Sequence, residues 1–307
     1  MNRINLKSFR RWARYGLVSP FFLHMMLMQA QTDYGSYKIY STASQKEISL
    51  EEMVADVADV DVLFFGEEHN DSLGHALQDQ IYQALLESYG TVTLSLEMFE
   101  TDCQLIMDEY LAGFIRESKL KKEARAWKNY DDDYRPMVER AKELKQAVIA
   151  ANAPGRYASM VSGKGLGELN KLSPAAKEYL PSLPIYTDDK PYYQRFKKSM
   201  EEVGHSLEND NFFHAQCLWD ATMANSIYTH WKKHKKEKIF HLNGRFHTDY
   251  KQGTVHQLSR LSGKVQMKNI SCFPADDMQN PDWSEYADLG DYVIIHPEVK
   301  GEDVSGS

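Results

Sequence analysis

The chain has few cysteines, and their spacing excludes two classes of small fold. Only Cys103, Cys217 and Cys272 occur in 307 residues, and no two of them form a Cys-x-x-Cys pair. Neither a zinc ribbon nor a disulfide scaffold is therefore indicated. Because no cysteine precedes Cys103, we expect no lipid anchor at the N-terminus.

The chain also lacks an apolar run that is long enough to cross a membrane. Residues 15–28 are mostly apolar but are interrupted by polar residues and a proline, and a spanning helix needs about 20 apolar residues. A basic stretch without acids precedes them, and the small residue Ala30 follows. This layout is typical of a secretory signal peptide. We therefore expect residues 1–30 to direct export; the alternative is a basic extension on a cytosolic protein.

Positive charge is in the minority. The chain has 44 acidic and 36 basic residues, and its formal net charge is −8. Export would remove basic residues and make the charge more negative still. An acidic surface disfavours phosphate backbones, so no nucleic acid is expected among the partners.

Strand-like and helix-like segments alternate along the rest of the chain. Long connections between strands favour parallel pairing, so the sequence predicts an α/β fold of three layers, a mostly parallel sheet flanked by helices. It predicts one domain over 31–300, with a small helical subdomain inserted at about 100–130 and 155–236, and a flexible tail at 301–307. The predicted strands are 61–66, 91–97, 147–152, 238–243, 265–273 and 290–296, and the predicted helices are 72–89, 101–118, 134–146, 207–235 and 252–262.

The same tetrapeptide pattern follows two of these strands. Residues 66–69 and 244–247 both have the pattern Gly-x-x-His, and each comes directly after an apolar run. Glycine permits a sharp turn, so each histidine is expected just beyond the carboxyl end of its strand. Two further predicted strands end on Glu97 and Asn152. Because ligands bind at this edge of a parallel sheet, the four strand ends are predicted to form the rim of one site.

The strand ends offer ligands for a metal ion. His69, Glu97 and His247 suit a divalent metal, because imidazole and carboxylate groups bind zinc, manganese or iron. Glu67 and Glu68 precede His69, and either one is a candidate general base or a contact that orients a ligand. The alternative is that both histidines only form hydrogen bonds to backbone at the strand ends. A matched pair at two equivalent positions favours the functional interpretation.

A long predicted helix carries polar residues on an apolar face. Gln216 and Asp220 are one helical turn apart, and buried amides and carboxylates need hydrogen-bond partners. Together with Asn152 they are candidates for the pocket floor, or for contacts that orient His69 or His247. The alternative for Gln216 and Asp220 is that they bond to loop backbone and hold the helix on the sheet.

Several sequence blocks, taken in order, resemble one known family. They are the paired Gly-x-x-His motifs, Leu96–Phe99, Asp133–Pro136, Ala150–Pro154 and Gln216–Ala224. Together they resemble the ChaN-like haem-binding family, which belongs to a wider group with the TIKI and TraB proteins and the erythromycin esterases. The resemblance covers about residues 45–270.

The resemblance implies a parallel α/β core with a small helical domain. It also implies a protein of the periplasm or outer membrane that binds haem or an iron complex for uptake. A homodimer and an outer-membrane uptake receptor are the partners to expect under this interpretation. Family members are often lipoproteins, and the missing acylation site is where this chain departs from them.

A haem site needs an apolar slot, cations for the propionates and an axial ligand. Tyrosinate suits ferric haem that is held for transport, and arginine suits carboxylates. For the tyrosines of the segment 127–135, packing around a helix start is the alternative. The candidate haem-binding residues are Tyr130, Tyr134, Arg135, Tyr157 and Arg245.

The wider group implies a second hypothesis, a metal-dependent peptidase or esterase. Under it, Glu68 and Glu97 are the catalytic candidates, and His69 and His247 hold a divalent metal with Glu97. The haem-binding hypothesis is favoured, because the Asp-Tyr-Arg-Pro and Gln-x-x-Trp-Asp blocks are close to those of ChaN.

We predict that export removes the first 30 residues. Because the basic, apolar and small-residue segments end near residue 30, the mature N-terminus should lie close to Gln31. Intact-mass measurement of natively expressed protein, recovered outside the cytoplasm, checks this. Protein that retains Met1 in the cytosolic fraction would contradict it.

Overall fold

One sheet of eight strands runs through the computed structural model, which describes residues 36–205 and 208–298. In chain order the strands are β1 Lys38–Ser41, β2 Lys46–Ile48, β3 Val62–Glu67, β4 Val92–Glu100, β5 Val148–Asn152, β6 Lys238–Gly244, β7 Met267–Pro274 and β8 Tyr292–His296. Their order across the sheet is β2-β1-β8-β7-β3-β6-β4-β5. The strands β3 to β8 are parallel, and β1 and β2 extend one edge in antiparallel pairing.

Ten α-helices connect and cover the described strands. Local signals begin several of them; Ser49 and Glu52, for example, exchange the hydrogen bonds of a capping box at the start of α1. The helices are α1 Leu50–Asp56, α2 Ser72–Tyr89, α3 Gln104–Leu111, α4 Glu117–Glu123, α5 Arg135–Glu143, α6 Gly155–Lys164, α7 Pro174–Lys177, α8 Lys190–Glu202, α9 Asn211–Lys233 and α10 Gly253–Leu261. A π-helical turn, Tyr130–Tyr134, leads into α5, and 3-10 turns occupy Thr101–Cys103, Leu166–Lys171, Arg245–His247, Asp249–Lys251 and Trp283–Glu285.

The central strand β3 is buried on both faces, which accounts for its unbroken apolar run. Leu63 and Phe65 pack into the core that includes α2 and α5, whereas Val62 and Phe64 pack against α9 and α10. Alternate residues of one strand thus contact two helical layers. The predicted three-layer α/β fold is confirmed.

The structure differs from the sequence prediction at one sheet edge and in one helix. The strands β1 and β2 were not predicted, because they have only four and three residues and include the lysines and the glutamate of positions 38, 46 and 47. The predicted helix over 101–118 is instead a 3-10 turn, α3 and the start of α4. The apolar spacing continues through Gly113, a residue type that favours helix ends, so periodicity alone did not show the break.

The helices α3, α4 and α6 to α9 occupy the two stretches with little strand signal, and their status as a separate subdomain stays a prediction. The predicted signal peptide at 1–30 and the tail at 301–307 lie outside the described residues. Within the described residues, no helix combines the length and apolarity that crossing a bilayer requires.

The carboxyl ends of the parallel strands meet at one edge of the sheet. The pairing of β4 with β5 shifts register between Leu96 and Glu100, so β4 carries extra residues there. Such bulges re-aim side chains at functional edges of sheets. Glu97 lies in this irregular segment, at the edge where β6 ends at Gly244.

Behind this edge, β6 buries a histidine that is neutral. His241 is fully buried, and its Nδ1 lies 2.8 Å from Ser95 Oγ. Burial lowers the pKa of His241 to about 3, with a further lowering by His247 and an opposing effect of Glu97. In the unfolded chain the same imidazole has an ordinary pKa of about 6.5.

We predict that His241 makes the protein acid-sensitive. Below about pH 6.5 the unfolded chain binds a proton that the folded protein excludes, so stability falls as the pH drops towards 3. Between pH 7.5 and 5.0 this amounts to about 2 kcal/mol. Urea unfolding should show that His241→Gln loses less stability over this interval than the wild type, whereas the exposed-site control His205→Gln loses as much. Equal losses in the wild type and His241→Gln would contradict the prediction.

Candidate functional site

A cavity of about 510 Å³ lies at the carboxyl edge of the sheet, and we call it the edge cavity. Residues from the ends of β4, β5 and β6 line it together with residues of α8 and α9. Its walls combine polar groups with broad aromatic rings. The polar lining includes His69, Glu97, Glu100, Asn152, Gln216 and His247, and the aromatic lining is Trp127, Phe196, Trp219 and Phe246.

His247 lies between two buried carboxylates. Its Nδ1 is 2.7 Å from Asp220 Oδ1, and its Nε2 is 3.5 Å from Glu97 Oε1. Burial alone would lower the pKa of His247, but the two carboxylates outweigh burial and raise it to about 10. Burial would likewise raise the pKa of Glu97, but His247 and other groups lower it to about 2. The result is a buried ion pair between an imidazolium and carboxylates.

Side chains from three elements fix Asp220 in place. The hydroxyl of Tyr192 donates to Oδ2 at 2.8 Å, and that of Thr254 donates to Oδ1 at 2.9 Å. Gln216 donates to the Tyr192 hydroxyl at 3.0 Å, and its Nε2 lies 3.2 Å from His247 Nδ1. Asp220 therefore positions His247 directly, and Gln216 acts through the Tyr192 hydroxyl that holds Asp220; both use side-chain contacts rather than the loop backbone.

The two Gly-x-x-His motifs pack against each other. A Cβ on Gly244 would lie 2.7 Å from His69 Nε2, and a Cβ on Gly66 would lie 2.8 Å from the Cα of Arg245. The Arg245 Cα is backbone, so Gly66 leaves no room for a side chain, and a side chain at position 244 would displace the His69 ring. Each motif's glycine is thus covered by a residue of the other motif.

His69 presents its imidazole to the edge cavity. Its side chain is 43% exposed, and its Nδ1 lies 2.9 Å from Glu67 Oε1. Burial alone would lower the pKa of His69, but the bond to Glu67 and the charge of Glu97 outweigh it and raise the pKa. With Nδ1 bound to Glu67, Nε2 is the ring nitrogen that is left for a ligand.

Glu67 is a buried carboxylate with several partners. Besides His69, the amide of Gln78 and the hydroxyl of Tyr134 donate to it, the latter at 2.6 Å. His75 Nε2 lies 3.5 Å from the same carboxylate. Burial would raise the pKa of Glu67, but the bonds to His69 and His75 lower it. Glu67 therefore fixes the orientation of the exposed His69 ring.

A second cavity of about 500 Å³ adjoins the first, and we call it the basic cavity after its three cations, although the carboxylates of Glu67, Glu68, Glu202 and Asp249 also line it. Arg195, Lys198 and Arg245 line it, together with Tyr250, which is 48% exposed. Nη1 of Arg245 lies 3.1 Å from Glu68 Oε1, and its Nη2 lies 2.9 Å from an Asp249 carboxylate oxygen. The residues that line both cavities are His69, Ser199, Gly244 and Phe246.

Residues 53–258 match the family model described as "Haem-binding uptake, Tiki superfamily, ChaN". The chain belongs to this family. No curated protein matches it.

The chain resembles several solved structures to different degrees. The structure of ChaN from Campylobacter jejuni, described as showing cofacial haem binding, is 20% identical, with 84% of this chain and 96% of that chain covered and a TM-score of 0.62. A mutant erythromycin esterase in its open conformation is 12% identical, with 84% and 82% covered and a TM-score of 0.47. The RRSP toxin effector domain from Vibrio vulnificus is 15% identical, with 75% and 37% covered and a TM-score of 0.44. At these identities the ChaN likeness establishes the fold.

Most of the predicted strand-end and helix residues come together. Asp220 lies directly behind His247, out of the cavity itself. The predicted residues that line the edge cavity are His69, Glu97, Asn152, Gln216 and His247, and those that line the basic cavity are Glu67, Glu68, His69 and Arg245.

The two tyrosines predicted as haem ligands lie outside both cavities. Tyr130 and Tyr134 are almost fully buried, and the Tyr134 hydroxyl donates to Glu67. Burial raises the pKa of both phenols, and Glu67 raises that of Tyr134 further, so neither is a ready source of phenolate. The segment that holds both tyrosines is a π-helical turn packed into the core, which supports the packing alternative.

Of the other predicted haem-binding residues, only Arg245 lines one of the two cavities. Arg135 forms an ion pair with Glu117, at 2.5 Å, and lies outside both cavities. Tyr157 packs in the core under Arg156, whose guanidinium carbon is 4.5 Å from the ring centroid. Arg245 alone of the predicted cations reaches a cavity, because it directly follows the end of β6.

His69, Glu97 and His247 do not form a three-ligand metal group in this arrangement. Among the described residues, two groups of three side chains bring one donor atom each within 4.8 Å of one another, and this set is not one of them. In this arrangement both ring nitrogens of His247 face carboxylates, those of Asp220 and Glu97. A metal role for these residues stays a prediction.

The sequence analysis missed the aromatic walls and the cations of α8. Phe196, Arg195 and Lys198 lie on α8, in a stretch whose only signal was the absence of strands. Tyr192, Phe196 and Ser199 recur at helical spacing, which identifies one face of α8. That signal does not distinguish a cavity wall from ordinary core packing.

We predict that Asp220 raises the pKa of His247. Replacing Asp220 with Asn removes one of two anionic partners and should bring this pKa down from about 10. NMR titration of the His247 ring measures the change. Glu100→Gln, in the same cavity but bonded to Gly155 and Arg125, is the control and should leave the His247 titration unchanged. A wild-type His247 that titrates near pH 6.5 would contradict the ion pair.

Proposed function

We propose that this protein binds haem in the edge cavity and serves haem or iron uptake. The family, whose description includes haem-binding uptake, supports the ligand. The observation that carries the proposal is the cavity itself, where four aromatic rings surround an accessible imidazole.

The cavity residues fit the needs of a porphyrin. Trp127, Trp219 and Phe246 offer apolar surface for a flat ring, and His69 offers Nε2 as an axial ligand. The hydrogen bond from His69 Nδ1 to Glu67 is the contact that orients ligating histidines in metal proteins. Bound haem would supply an iron centre that accepts this nitrogen.

The basic cavity fits the propionates. Haem is apolar on its faces and anionic at one edge, so its site needs cations at one side only. Arg195, Lys198 and Arg245 offer such cations beside the aromatic walls, whereas no lysine or arginine of the described residues lines the edge cavity. The position of these cations favours one orientation, with the propionates towards α8 and Arg245, where they would compete with Glu68 and Asp249 for the guanidinium.

The uptake role also includes location and partners. We propose that the protein is exported to the periplasm or the outer membrane, on the strength of the N-terminal sequence pattern. We further propose a homodimer and an outer-membrane receptor as partners, since uptake requires that haem be received and passed on.

The hydrolase alternative gains no support from the contacts of the described residues. Glu97 accepts a hydrogen bond from the Gly244 amide at 2.7 Å and faces His247, and its pKa of about 2 makes it a weak base. Glu68 is exposed and paired with Arg245. A divalent metal at the strand ends belongs to this alternative and is an outcome of the test below.

We predict that haemin binds the full chain and that His69 determines its spectrum. In a haemin titration followed at the Soret band, His69→Ala should shift the bound spectrum, because the axial nitrogen is removed. Tyr134→Phe and Tyr130→Phe should leave it unchanged, since both phenols are buried away from the cavity. Phe246→Ala should weaken binding at least about tenfold, since a buried aromatic side chain contributes about 1.5–3 kcal/mol.

The exposed-site variant His205→Ala is the matched control for His69→Ala. Spectra that change in Tyr134→Phe but not in His69→Ala would assign the ligand to a tyrosine and contradict our choice. No haemin binding, together with metal-dependent esterase or peptidase activity that His247→Ala abolishes, would replace the proposal with the hydrolase.

A further inference from the structure

A second group of ligating side chains lies apart from both cavities. It consists of Asp71, Cys272 and His296, and one donor atom from each lies within 4.8 Å of the others. Asp71 directly precedes α2, Cys272 lies in β7, and His296 is the last residue of the neighbouring strand β8. None of the three lines the edge cavity or the basic cavity.

We propose that Asp71, Cys272 and His296 bind a divalent transition-metal ion, with zinc as the preferred ion. A thiolate, an imidazole and a carboxylate are all zinc ligands, whereas calcium and magnesium prefer oxygen alone. Three protein ligands leave one position of a tetrahedral shell for water or another small ligand. This site is independent of the haem proposal.

The histidine has the orientation that a metal ligand needs. His296 Nδ1 lies 3.0 Å from the carbonyl oxygen of Pro297, which fixes a proton on Nδ1 and leaves Nε2 to ligate. Nε2 points at Asp71 Oδ2, at 2.7 Å. Two such ligands of one zinc ion are about 3.3 Å apart, so an ion fits between them after a small side-chain movement.

The Asp71 carboxylate faces His296 and does not cap α2. Asp71 occupies the N-cap position of α2, yet its side chain makes no capping hydrogen bond. A Cβ on Gly74 would lie 2.5 Å from Asp71 Oδ2, so the first turn of α2 leaves space for the carboxylate. The N-terminus of α2 therefore lacks a hydrogen bond to a side-chain cap, because the Asp71 carboxylate is directed at His296.

The group is also shielded from water. Cys272 is fully buried, His296 is 1% exposed, and the Asp71 side chain is 10% exposed. A metal ion held by these three side chains would therefore be buried, with one enclosed water or other small ligand completing its shell. The other three-residue group, His230, His234 and Glu237, is more exposed and contains no thiol.

Cobalt absorption tests the proposal on the full chain without haem. Protein treated with a chelator is titrated with Co²⁺, which should give a single-equivalent thiolate-to-cobalt charge-transfer band that Zn²⁺ abolishes. Cys272→Ser should lose this band, and Asp71→Asn and His296→Gln should weaken Co²⁺ binding at least about tenfold. Cys103→Ser and Cys217→Ser, which also replace buried cysteines, are the matched controls and should keep the band.

The outcomes separate the metal site from its alternatives. Cobalt binding without a thiolate band, lost in His234→Ala, would assign the metal to the surface group and overturn the proposal. No binding at all would leave an Asp71–His296 ion pair only. If Cys272→Ser does not fold, judged by circular dichroism, Asp71→Asn decides: unchanged Co²⁺ affinity there rejects the site. Haemin binding measured on the same samples reports separately on the proposed function.

Discussion

Two carboxylates buried at the carboxyl edge of the sheet impose the main constraint on this structure. Glu67 and Glu97 are 2% and 6% exposed, and a buried charge is costly unless it is paired and hydrogen-bonded. Histidines, a tyrosine, an amide and the Gly244 backbone offset that cost by pairing with or hydrogen-bonding to the two carboxylates. Much of the polar chemistry at this edge follows from satisfying these two groups.

The histidines that pair with these two carboxylates are of two kinds. His247 is enclosed by carboxylates and held as an ion-pair partner, whereas His69 is bonded on one side and open on the other. The first stabilises the loop after β6 on α9, and the second is available to a ligand. Two motifs with the same Gly-x-x-His pattern thus place chemically different groups at the same cavity.

The sequence predicted the parallel sheet well, because buried parallel strands such as β3 are continuous apolar runs. It also predicted which strand ends meet, since parallel topology brings them to one edge. It could not show that the segment with Tyr130 and Tyr134 folds inward, because a π-helical turn has no simple periodicity. Nor could it identify the α8 wall, since Phe196 and Arg195 acquire their roles only through the packing of α8 beside the loop after β6.

The close packing of the two Gly-x-x-His motifs has an evolutionary consequence. Gly66 lies against the backbone of Arg245, and Gly244 lies against the His69 ring, so a larger residue at either glycine would displace part of the other motif. The two segments, some 180 positions apart in the chain, should therefore be inherited as one co-varying unit. A chimaera that exchanges one motif between relatives should exchange the other with it.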